Sequence, residues 1–266
     1  MKTVLVTGGN RGIGFEVCRQ LDLLGFRVIL GTRNLENGKL AAKTLSDNVI
    51  VRHLDVTNEE TIIDLFNFIS KDIGKLDVLI NNAGLGPINL NNPDVNRIKK
   101  VLKQVLKGSW NSVKKLSPIF VNTGILPQKA NAGNISIDGV KRIMDTNLYG
   151  AWRMIQVFTP LLLKSNDARI INVSSGVGEL KNLSGIYPAY SLSKASLNAI
   201  TIMFANELKE KNVKVNAVCP GWVKTDMGGP DAPRTLEEGA DTIVWMATEE
   251  DIPTGKFIKD RQIIDW

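Results

Sequence analysis

The chain reads Thr7-Gly8-Gly9-Asn10-Arg11-Gly12-Ile13-Gly14 directly after the apolar run Thr3–Val6. The residues that follow, from Phe15 to Leu24, have apolar side chains at helical spacing. A strand, a glycine-rich turn and a helix in this order form the first unit of a dinucleotide-binding fold, where the backbone approaches a pyrophosphate at the helix N-terminus. The glycine spacing is G-x-x-x-G-x-G, which differs from the commoner G-x-G-x-x-G. A plain strand-to-helix turn is the alternative, but the run Phe26–Leu30 stands where a second strand of such a fold would begin.

Strand-like and helix-like patterns alternate along the rest of the chain. Of the 266 residues, 43% are hydrophobic, which is enough for one α/β domain with a full core. The strand-like segments lie near residues 3–7, 26–32, 48–54, 76–81, 169–175, 213–219 and 255–259. We therefore predict a Rossmann-type, doubly wound and mostly parallel α/β sheet of about seven strands, in a single domain over residues 1–266.

Composition argues against several other classes of protein. No apolar run approaches the roughly 18 residues of a membrane span. The first strand begins almost at once, which leaves no room for a signal peptide and favours a soluble cytoplasmic enzyme. Two cysteines, Cys18 and Cys219, give no disulfide framework, and the only histidine, His53, has no neighbours at metal-ligand spacing. We therefore expect no metal site and no membrane association.

A tyrosine and a lysine stand four residues apart in Tyr190-Ser191-Leu192-Ser193-Lys194. On a helix these two side chains share one face, where the ammonium can lower the pKa of the phenol. Such a tyrosine could give or take a proton at neutral pH, as the reduction of a carbonyl requires. The spacing alone is a weak signal. It gains weight from the glycine-rich segment and from two upstream features, Asn147 and the pair Ser174-Ser175.

Two more motifs complete a family pattern. The turn Asn81-Asn82-Ala83-Gly84 follows one strand-like segment, and Pro220-Gly221 follows another. Together with the glycine-rich segment and the Tyr190–Lys194 motif, in this order, they resemble the short-chain dehydrogenase/reductase family. The resemblance runs from residue 3 to the end of the chain, with one interruption. The segments 235–240, 253–257 and 265–266 look more like its carbonyl reductase branch.

The resemblance implies a set of reacting groups. Tyr190 would transfer the proton, while Lys194 would hold the nicotinamide ribose and stabilise phenolate character in the tyrosine. Ser175 would hydrogen-bond the carbonyl oxygen, and Ser174 is the alternative. Consecutive strand residues point to opposite faces, so only one of the two serines can face the cleft, and the family pattern favours Ser175. Asn147 would order a water beside the lysine and continue the proton relay. The alternative for Asn147 is an ordinary amide on a helix surface.

The resemblance also implies which residues contact the cofactor. They lie in the glycine loop, beside the adenine ring, at the turn after the fourth strand, in the tyrosine motif and in the loop that holds the nicotinamide. They are Gly8, Asn10, Arg11, Gly12, Ile13, Gly14, Asp55, Val56, Asn81, Ala83, Gly84, Tyr190, Lys194, Pro220, Gly221, Val223 and Thr225. Without the family, many of these could be ordinary turn residues.

Two arginines decide which cofactor is expected. Enzymes that use NAD usually place an acidic residue about 20 positions past the glycine loop, to bind the ribose 2′-hydroxyl. Here the second strand ends in Gly31-Thr32-Arg33, and Arg11 lies inside the loop itself. Two guanidinium groups suit a 2′-phosphate, because arginine forms charge-assisted bonds to phosphate. We predict NADPH/NADP+; the alternative is that both arginines are solvated surface residues.

The family pattern is interrupted by an insertion at about residues 85–130. Asn147 lies 63 positions after Gly84, far more than the family pattern usually has. The segment contains a predicted helix with Asn92 as cap and Gly108 as end, and a stretch at 119–124 that could be an extra strand or a coincidence. Its charge is +7, whereas the whole chain carries +6. We expect the insertion to act as a lid and to keep the enzyme monomeric, as in some plant reductases that the chain resembles; the alternative is a solvated surface helix.

Three functions remain open from the sequence. The first is an NADPH-dependent carbonyl reductase that acts on a small ketone or aldehyde. The second is a 3-oxoacyl-carrier-protein reductase, because a basic insertion would attract an acidic partner. The third is a nucleotide-sensing or nucleic-acid-binding scaffold that uses the basic insertion. A pure scaffold needs none of the four reacting residues, so we expect the first function and no nucleic-acid partner.

Overall fold

A parallel sheet forms the centre of the computed structural model, which describes residues 1–86, 132 and 135–266. The strands of this part of the chain are β1 (Thr3–Thr7), β2 (Arg27–Thr32), β3 (Val49–His53), β4 (Val78–Asn81), β5 (Ala168–Val173), β6 (Val213–Val218), β7 (Phe257–Lys259) and β8 (Gln262–Ile264). Their order in the sheet is β3-β2-β1-β4-β5-β6-β7-β8, and all neighbours are parallel except β7 and β8. The chain order reverses between β1 and β4, so a crevice for a ligand is expected at the carboxyl ends of these strands.

Helices cover both faces of the sheet. They are α1 (Gly12–Leu23), α2 (Leu35–Ala42), α3 (Glu59–Asp72), α4 (Ile137–Met144), α5 (Ala151–Leu162), α6 (Pro188–Leu208) and α7 (Leu236–Thr248). A π-helical segment, Asp145–Gly150, joins α4 to α5. Side chains at the N-caps stabilise several starts; Asn34, Asn58 and Ser136 each accept a hydrogen bond from a backbone N–H of the first turn.

Alternation along the strands divides the core into two layers. In β1, Leu5 packs with the α3, α5 and α6 layer, whereas its neighbours Val4 and Val6 pack with the α1 and α7 layer. Both faces of the sheet are therefore buried, as a parallel sheet requires. This architecture confirms the predicted Rossmann-type, doubly wound fold.

The sheet has one strand more than the predicted seven. Strand β8 returns antiparallel to β7 through the two-residue turn Asp260-Arg261. Both turn residues have positive φ, 52° and 60°, as a tight hairpin turn that follows the sheet twist requires. Asp260 is a residue that such turns favour, but Arg261 stands where they usually have glycine, so the usual Asp-Gly signal is missing from the sequence.

Three sequence predictions concern residues that the structure does not describe. The helix capped by Asn92, its end at Gly108 and the stretch at 119–124 all lie outside the described residues. Within the described part of the chain, no helix is long and apolar enough to cross a membrane. The same part holds no group of three or more metal-ligating side chains.

An ion cluster secures the end of the sheet opposite the crevice. Arg169 is fully buried at 0% exposure, donates to the Met246 carbonyl oxygen at 2.9 Å and pairs with Asp167 at 2.6 Å. Lys2 also reaches Asp167, at 2.9 Å. Although burial alone would raise it, the pKa of Asp167 is lowered from 3.8 to about 2 by its hydrogen bonds to Arg169 and Lys2.

The variant Asp167→Asn should lower the free energy of unfolding by about 1–3 kcal/mol near neutral pH, because it weakens a charge-assisted hydrogen bond to a buried arginine. The native pKa lies below the unfolded one, so the stabilisation is present above pH 3.8 and is lost as pH falls towards about 2. Urea unfolding of both proteins across this range measures the difference. The control Glu36→Gln, which breaks the exposed pair with Lys39, should change stability by less than about 0.5 kcal/mol. A difference between Asp167→Asn and the wild type that persists at the acid end would contradict the assignment.

Candidate active site

A cavity of about 960 Å³ opens at the carboxyl ends of β1, β2 and β4. The glycine loop forms one wall, the turn after β4 forms another, and the loop after β6 lies across the opening. This is the crevice expected from the reversal of strand order. Its size and position allow an extended ligand to run from Arg33 at one end to Gly84 near the other.

The glycine loop has a shape that larger residues could not adopt. Gly8 and Gly12 have positive φ, 67° and 56°, and a Cβ on Gly14 would lie 2.4 Å from the Gly8 carbonyl oxygen. The Asn82 amide donates to the carbonyl oxygens of Thr7 and Gly8, at 2.9 and 3.2 Å. The open N-terminus of α1 therefore faces the cavity at close backbone range, which suits a pyrophosphate.

Most of the predicted cofactor residues line this cavity. They are Gly8, Asn10, Arg11, Gly12, Ile13, Gly14, Arg33, Asp55, Val56, Ala83, Gly84 and Thr225. Six others do not line it, namely Asn81, Tyr190, Lys194, Pro220, Gly221 and Val223. The residues that line the cavity fit a dinucleotide. Glycines surround its centre, and the basic side chains of Arg11 and Arg33 belong to the adenosine end. The reacting residues Tyr190 and Lys194 lie beyond the opposite end.

One of these predictions needs correction. Asn81 points into the sheet, where its amide donates to Asn172 at 2.8 Å, and the next residue, Asn82, lines the cavity instead. Successive strand residues face opposite sides, so the predicted contact was displaced by one position. The Val223 side chain is buried against Gly239 of α7, so a contact between this residue and the cofactor would have to come from its backbone.

The two arginines differ in their surroundings. Arg33 is exposed at the cavity wall, and no partner for its guanidinium is found among the described residues. Arg11 pairs with Asp226 of the loop after β6, at 2.5 Å. Arg33 is thus the guanidinium available to an anionic ligand, whereas Arg11 must share its charge with a carboxylate.

The side chains of the two serines after β5 point in different directions. Ser174 is buried and donates from its hydroxyl to the Asn198 side chain of α6, at 2.6 Å. Ser175 is partly exposed at the strand end and hydrogen-bonds the phenol of Tyr190. Ser175 is therefore the serine that faces the reacting tyrosine.

Tyr190 and Lys194 lie on the first turns of α6, but the lysine does not contact the phenol oxygen. Its Nζ donates to the Val173 carbonyl oxygen at 2.7 Å and lies 5.7 Å from the centre of the tyrosine ring. Burial raises the pKa of Tyr190 to about 12, against the opposing effect of Ser175. The same cause lowers the pKa of Lys194 to about 8. The pKa of the phenol is therefore raised and not lowered as predicted, because burial of the phenol outweighs its hydrogen bond to Ser175 and the ammonium is bound to a backbone carbonyl.

Asn147 occupies the π-helical segment and is 2% exposed, so it is not a surface amide. It accepts from the Leu85 N–H at 2.7 Å and donates to the Leu85 carbonyl oxygen at 2.9 Å. It also donates to Ser193, whose hydroxyl donates to the Tyr190 carbonyl oxygen at 2.7 Å. Asn147 therefore links the start of the insertion to the helix that carries the tyrosine.

Gly84 connects the reacting groups to the cavity. It lines the cavity, and a Cβ at this position would lie 3.4 Å from Asn147 Oδ1 and 3.8 Å from Lys194 Nζ. The end of the cavity thus adjoins the side chains that could transfer a proton. This arrangement can deliver a proton next to a bound dinucleotide.

Comparison with known proteins agrees with this geometry. A family model described as short chain dehydrogenase matches residues 2–121 and 88–235. The chain belongs to the short-chain dehydrogenase family. The resemblance inferred from the four motifs is confirmed by this match.

Several members of the short-chain dehydrogenase family are similar along nearly their whole length. A (+)-neomenthol dehydrogenase of Arabidopsis thaliana is 33% identical, with 98% of this chain and 97% of the relative covered. Carbonyl reductase [NADPH] 1 of Sus scrofa is 30% identical, with 100% and 94% covered. The structure of salutaridine reductase from Papaver somniferum has a TM-score of 0.77 at 31% identity, with 98% of this chain and 100% of that chain covered.

Three polar residues of this short-chain dehydrogenase were not predicted from the sequence. Asn82 holds the glycine loop, Ser193 joins Asn147 to the tyrosine helix, and Asn198 binds Ser174. Each is buried or partly buried and touches a predicted site residue. The one available signal was their sequence position, since Asn82 and Ser193 lie inside the quoted motifs and Asn198 is four residues after Lys194 on the same helix.

Proposed function

We propose that this protein is an NADPH-dependent oxidoreductase that reduces a ketone or aldehyde to an alcohol. The observation that carries the proposal is the junction at Gly84, where a cavity shaped for a dinucleotide adjoins Lys194 and Asn147. Tyr190, whose phenol is hydrogen-bonded to Ser175, lies in the first turn of α6, the helix that also carries Lys194. The similarity to a carbonyl reductase [NADPH] and to a neomenthol dehydrogenase supports the same reaction.

The cofactor would be held by groups along the whole cavity. The glycine loop and the N-terminus of α1 would bind the pyrophosphate, and Asp55 and Val56 would flank the adenine. The loop Pro220–Thr225 would hold the nicotinamide. When bound, NADPH supplies the hydride that reduces the carbonyl carbon.

Side chains of the protein would bind and protonate the carbonyl oxygen. Tyr190 donates its phenolic proton to the oxygen as charge develops there, and the Ser175 hydroxyl holds the same oxygen by a hydrogen bond. Lys194 is 5% exposed, so its ammonium acts in a poorly solvated site where charge interactions are strong. Asn147 fixes the turn at Leu85 and the first turns of α6, which keeps these groups in register.

The apolar loops beside the reacting residues favour a bulky apolar carbonyl compound. Large apolar side chains are exposed on the loop that joins Ser175 to Tyr190 and on the loop after β6. They are Val177, Leu180, Leu183, Ile186, Tyr187, Trp222 and Met227. Exposed apolar groups around a site usually mark where a ligand or partner is bound.

A carbonyl panel with NADPH tests the proposed reaction. Purified protein should oxidise NADPH only when a carbonyl compound is added, with higher kcat/KM for cyclic terpenoid ketones and quinones than for short-chain aldehydes. The absence of carbonyl-dependent oxidation across aldehydes, ketones and quinones would refute the proposal. The relatives described above do not favour the two alternatives, a 3-oxoacyl-carrier-protein reductase and a nucleic-acid scaffold. Salt-sensitive binding of DNA or RNA by a protein without this oxidation would support the scaffold.

The variant Arg33→Asp should shift cofactor preference from NADPH towards NADH by about 10²-fold in the ratio of kcat/KM values, because a carboxylate repels the 2′-phosphate and can accept from a 2′-hydroxyl. Steady-state rates with each cofactor measure this ratio. The control Lys39→Asp makes the same charge change on α2, outside the cavity lining, and should leave the ratio within about twofold. An unchanged ratio in Arg33→Asp would show that Arg11 is the main determinant.

We also expect the protein to be monomeric, with the insertion at about 85–130 covering the substrate cleft. The insertion starts at Leu85, which Asn147 binds on both its N–H and its carbonyl group. Light scattering at micromolar concentration should give a mass near 29.2 kDa. A stable dimer or tetramer would contradict this expectation. The cytoplasmic location inferred from the sequence also stays a prediction, which imaging of a tagged protein can test.

A further inference from the structure

Arg234 occupies an unusual position beside the loop proposed to hold the nicotinamide. It lies before α7, outside every motif identified in the sequence. Its backbone N–H donates to the Trp222 carbonyl oxygen at 3.2 Å, and its carbonyl oxygen accepts from Lys224 at 2.9 Å. Residue 234 is therefore attached to the loop by its main chain on both sides of Val223.

The side chain of Arg234 reaches back to the start of that loop. Its Nη1 donates to the Pro220 carbonyl oxygen at 3.3 Å. A Cβ on Gly221 would lie 2.6 Å from Arg234 Nε and 2.7 Å from Cδ, so the arginine lies directly against the glycine backbone. Gly221 has a φ of 79°, a conformation that few other residues adopt, and it has no side chain with which to anchor itself.

The guanidinium is in turn fixed by the C-terminal hairpin. Asp260, in the turn between β7 and β8, binds it with both carboxylate oxygens, at 2.7 and 2.8 Å. The arginine side chain is 26% exposed and that of Asp260 is 53% exposed, so the strength of this pair comes from its two-point geometry and not from burial. The hairpin is itself tied to the sheet, because Ile258 accepts from the N–H of Cys219 at 2.8 Å.

We infer that Arg234, held by Asp260, is a positioning residue that sets the conformation of Pro220–Gly221 and thereby the placement of the nicotinamide half of the cofactor. The inference rests on the proposed function, which assigns this loop to the nicotinamide. The arginine touches neither the adenine end nor the glycine loop. Its loss should therefore weaken binding of the nicotinamide half and leave the adenosine half unaffected.

The variants Arg234→Met and Asp260→Asn test this inference, with 2′,5′-ADP as a probe for the adenosine half alone. Methionine keeps the apolar stem but removes the charge and the donors, and asparagine removes only the charge of the partner. In Arg234→Met the Kd for NADPH should rise about tenfold, as expected for the loss of a charged hydrogen-bond anchor, and kcat should fall. The Kd for 2′,5′-ADP, measured by calorimetry, should stay within about twofold. Asp260→Asn should show the same pattern, with a rise of about threefold.

The hairpin provides its own matched control. Arg261, next to Asp260, pairs with Asp241 of α7 and contacts neither Pro220 nor Gly221. Arg261→Met therefore breaks an ion pair of the same hairpin and should bind both ligands as the wild type does. Unchanged NADPH affinity in Arg234→Met, or an equal loss of affinity for 2′,5′-ADP, would overturn the inference. If Arg234→Met does not fold, Asp260→Asn replaces it as the test. Wild-type affinity of Asp260→Asn for NADPH would then overturn the inference. A wild type that fails the carbonyl assay refutes the proposed function instead, so the two failures are distinguishable.

Discussion

Replacement of Tyr190 by phenylalanine should lower turnover by about 10²–10⁴-fold, which is the usual effect of removing a general acid. The variant loses only the phenolic oxygen, which hydrogen-bonds Ser175 and which burial keeps protonated, with a pKa of about 12. The ring remains, so the helix start and the cofactor cavity should be unchanged.

Rapid-mixing measurement of NADPH oxidation in Tyr190→Phe would separate loss of chemistry from loss of binding. The Kd for NADPH should stay within about threefold of the wild-type value, because the phenolic oxygen is not part of the cavity wall. The control is Tyr149→Phe, which removes the same oxygen from an exposed tyrosine and should retain full turnover. Retention of more than about a tenth of wild-type turnover in Tyr190→Phe would show that the proton comes from another group.

Lys194→Met should lower turnover by about 10²-fold and also raise the Kd for NADPH by about tenfold. Two proposed roles would be removed at once, since the buried ammonium would favour the negative charge that develops on the phenol during proton transfer and would bind the nicotinamide ribose. Methionine fills nearly the same buried volume, so the loss can be assigned to the charge and its hydrogen bond to Val173. The pKa of about 8 means that the lysine still carries its proton at neutral pH, when it must act as a cation.

The matched control for this lysine lies on β6, the strand against which α6 packs. Lys214 donates to the Glu250 carbonyl oxygen at 2.9 Å, just as Lys194 donates to a backbone carbonyl. Lys214→Met should leave both turnover and NADPH affinity unchanged. If Lys194→Met lost turnover alone, the proposed ribose contact would be wrong; if it lost neither, the lysine would have no part in the reaction.

Sequence reasoning predicted the features that depend on local spacing. The glycine loop was predicted from seven consecutive residues, Gly8–Gly14. The helix face shared by Tyr190 and Lys194 was predicted from their spacing of four residues. The alternation of a strand indicated that only one of Ser174 and Ser175 faces the cleft, and the family pattern favoured Ser175. In each of these cases neighbouring residues alone determine the geometry.

The errors arose where geometry depends on distant partners. Asn81 and Asn82 differ by one position, and only pairing with Asn172 determines which of them points inward. Lys194 Nζ lies over the tyrosine ring, 5.7 Å from its centre, and its hydrogen bond goes to the Val173 carbonyl oxygen, 21 residues away in the sequence. The contact between Arg234 and Asp260 spans 26 residues and depends on a hairpin whose second turn residue is an arginine where glycine is usual.

The anchoring of Leu85 has a consequence for how this enzyme could be re-engineered. One amide, that of Asn147, binds both polar groups of the Leu85 backbone, so the chain leaves the sheet from a fixed point and in a fixed direction. The length and content of the segment after Leu85 can then change without moving Tyr190 or Lys194. Segments taken from other reductases could be grafted between Leu85 and the Ser136 cap of α4, which makes this junction a natural place for building chimaeras with altered substrate range.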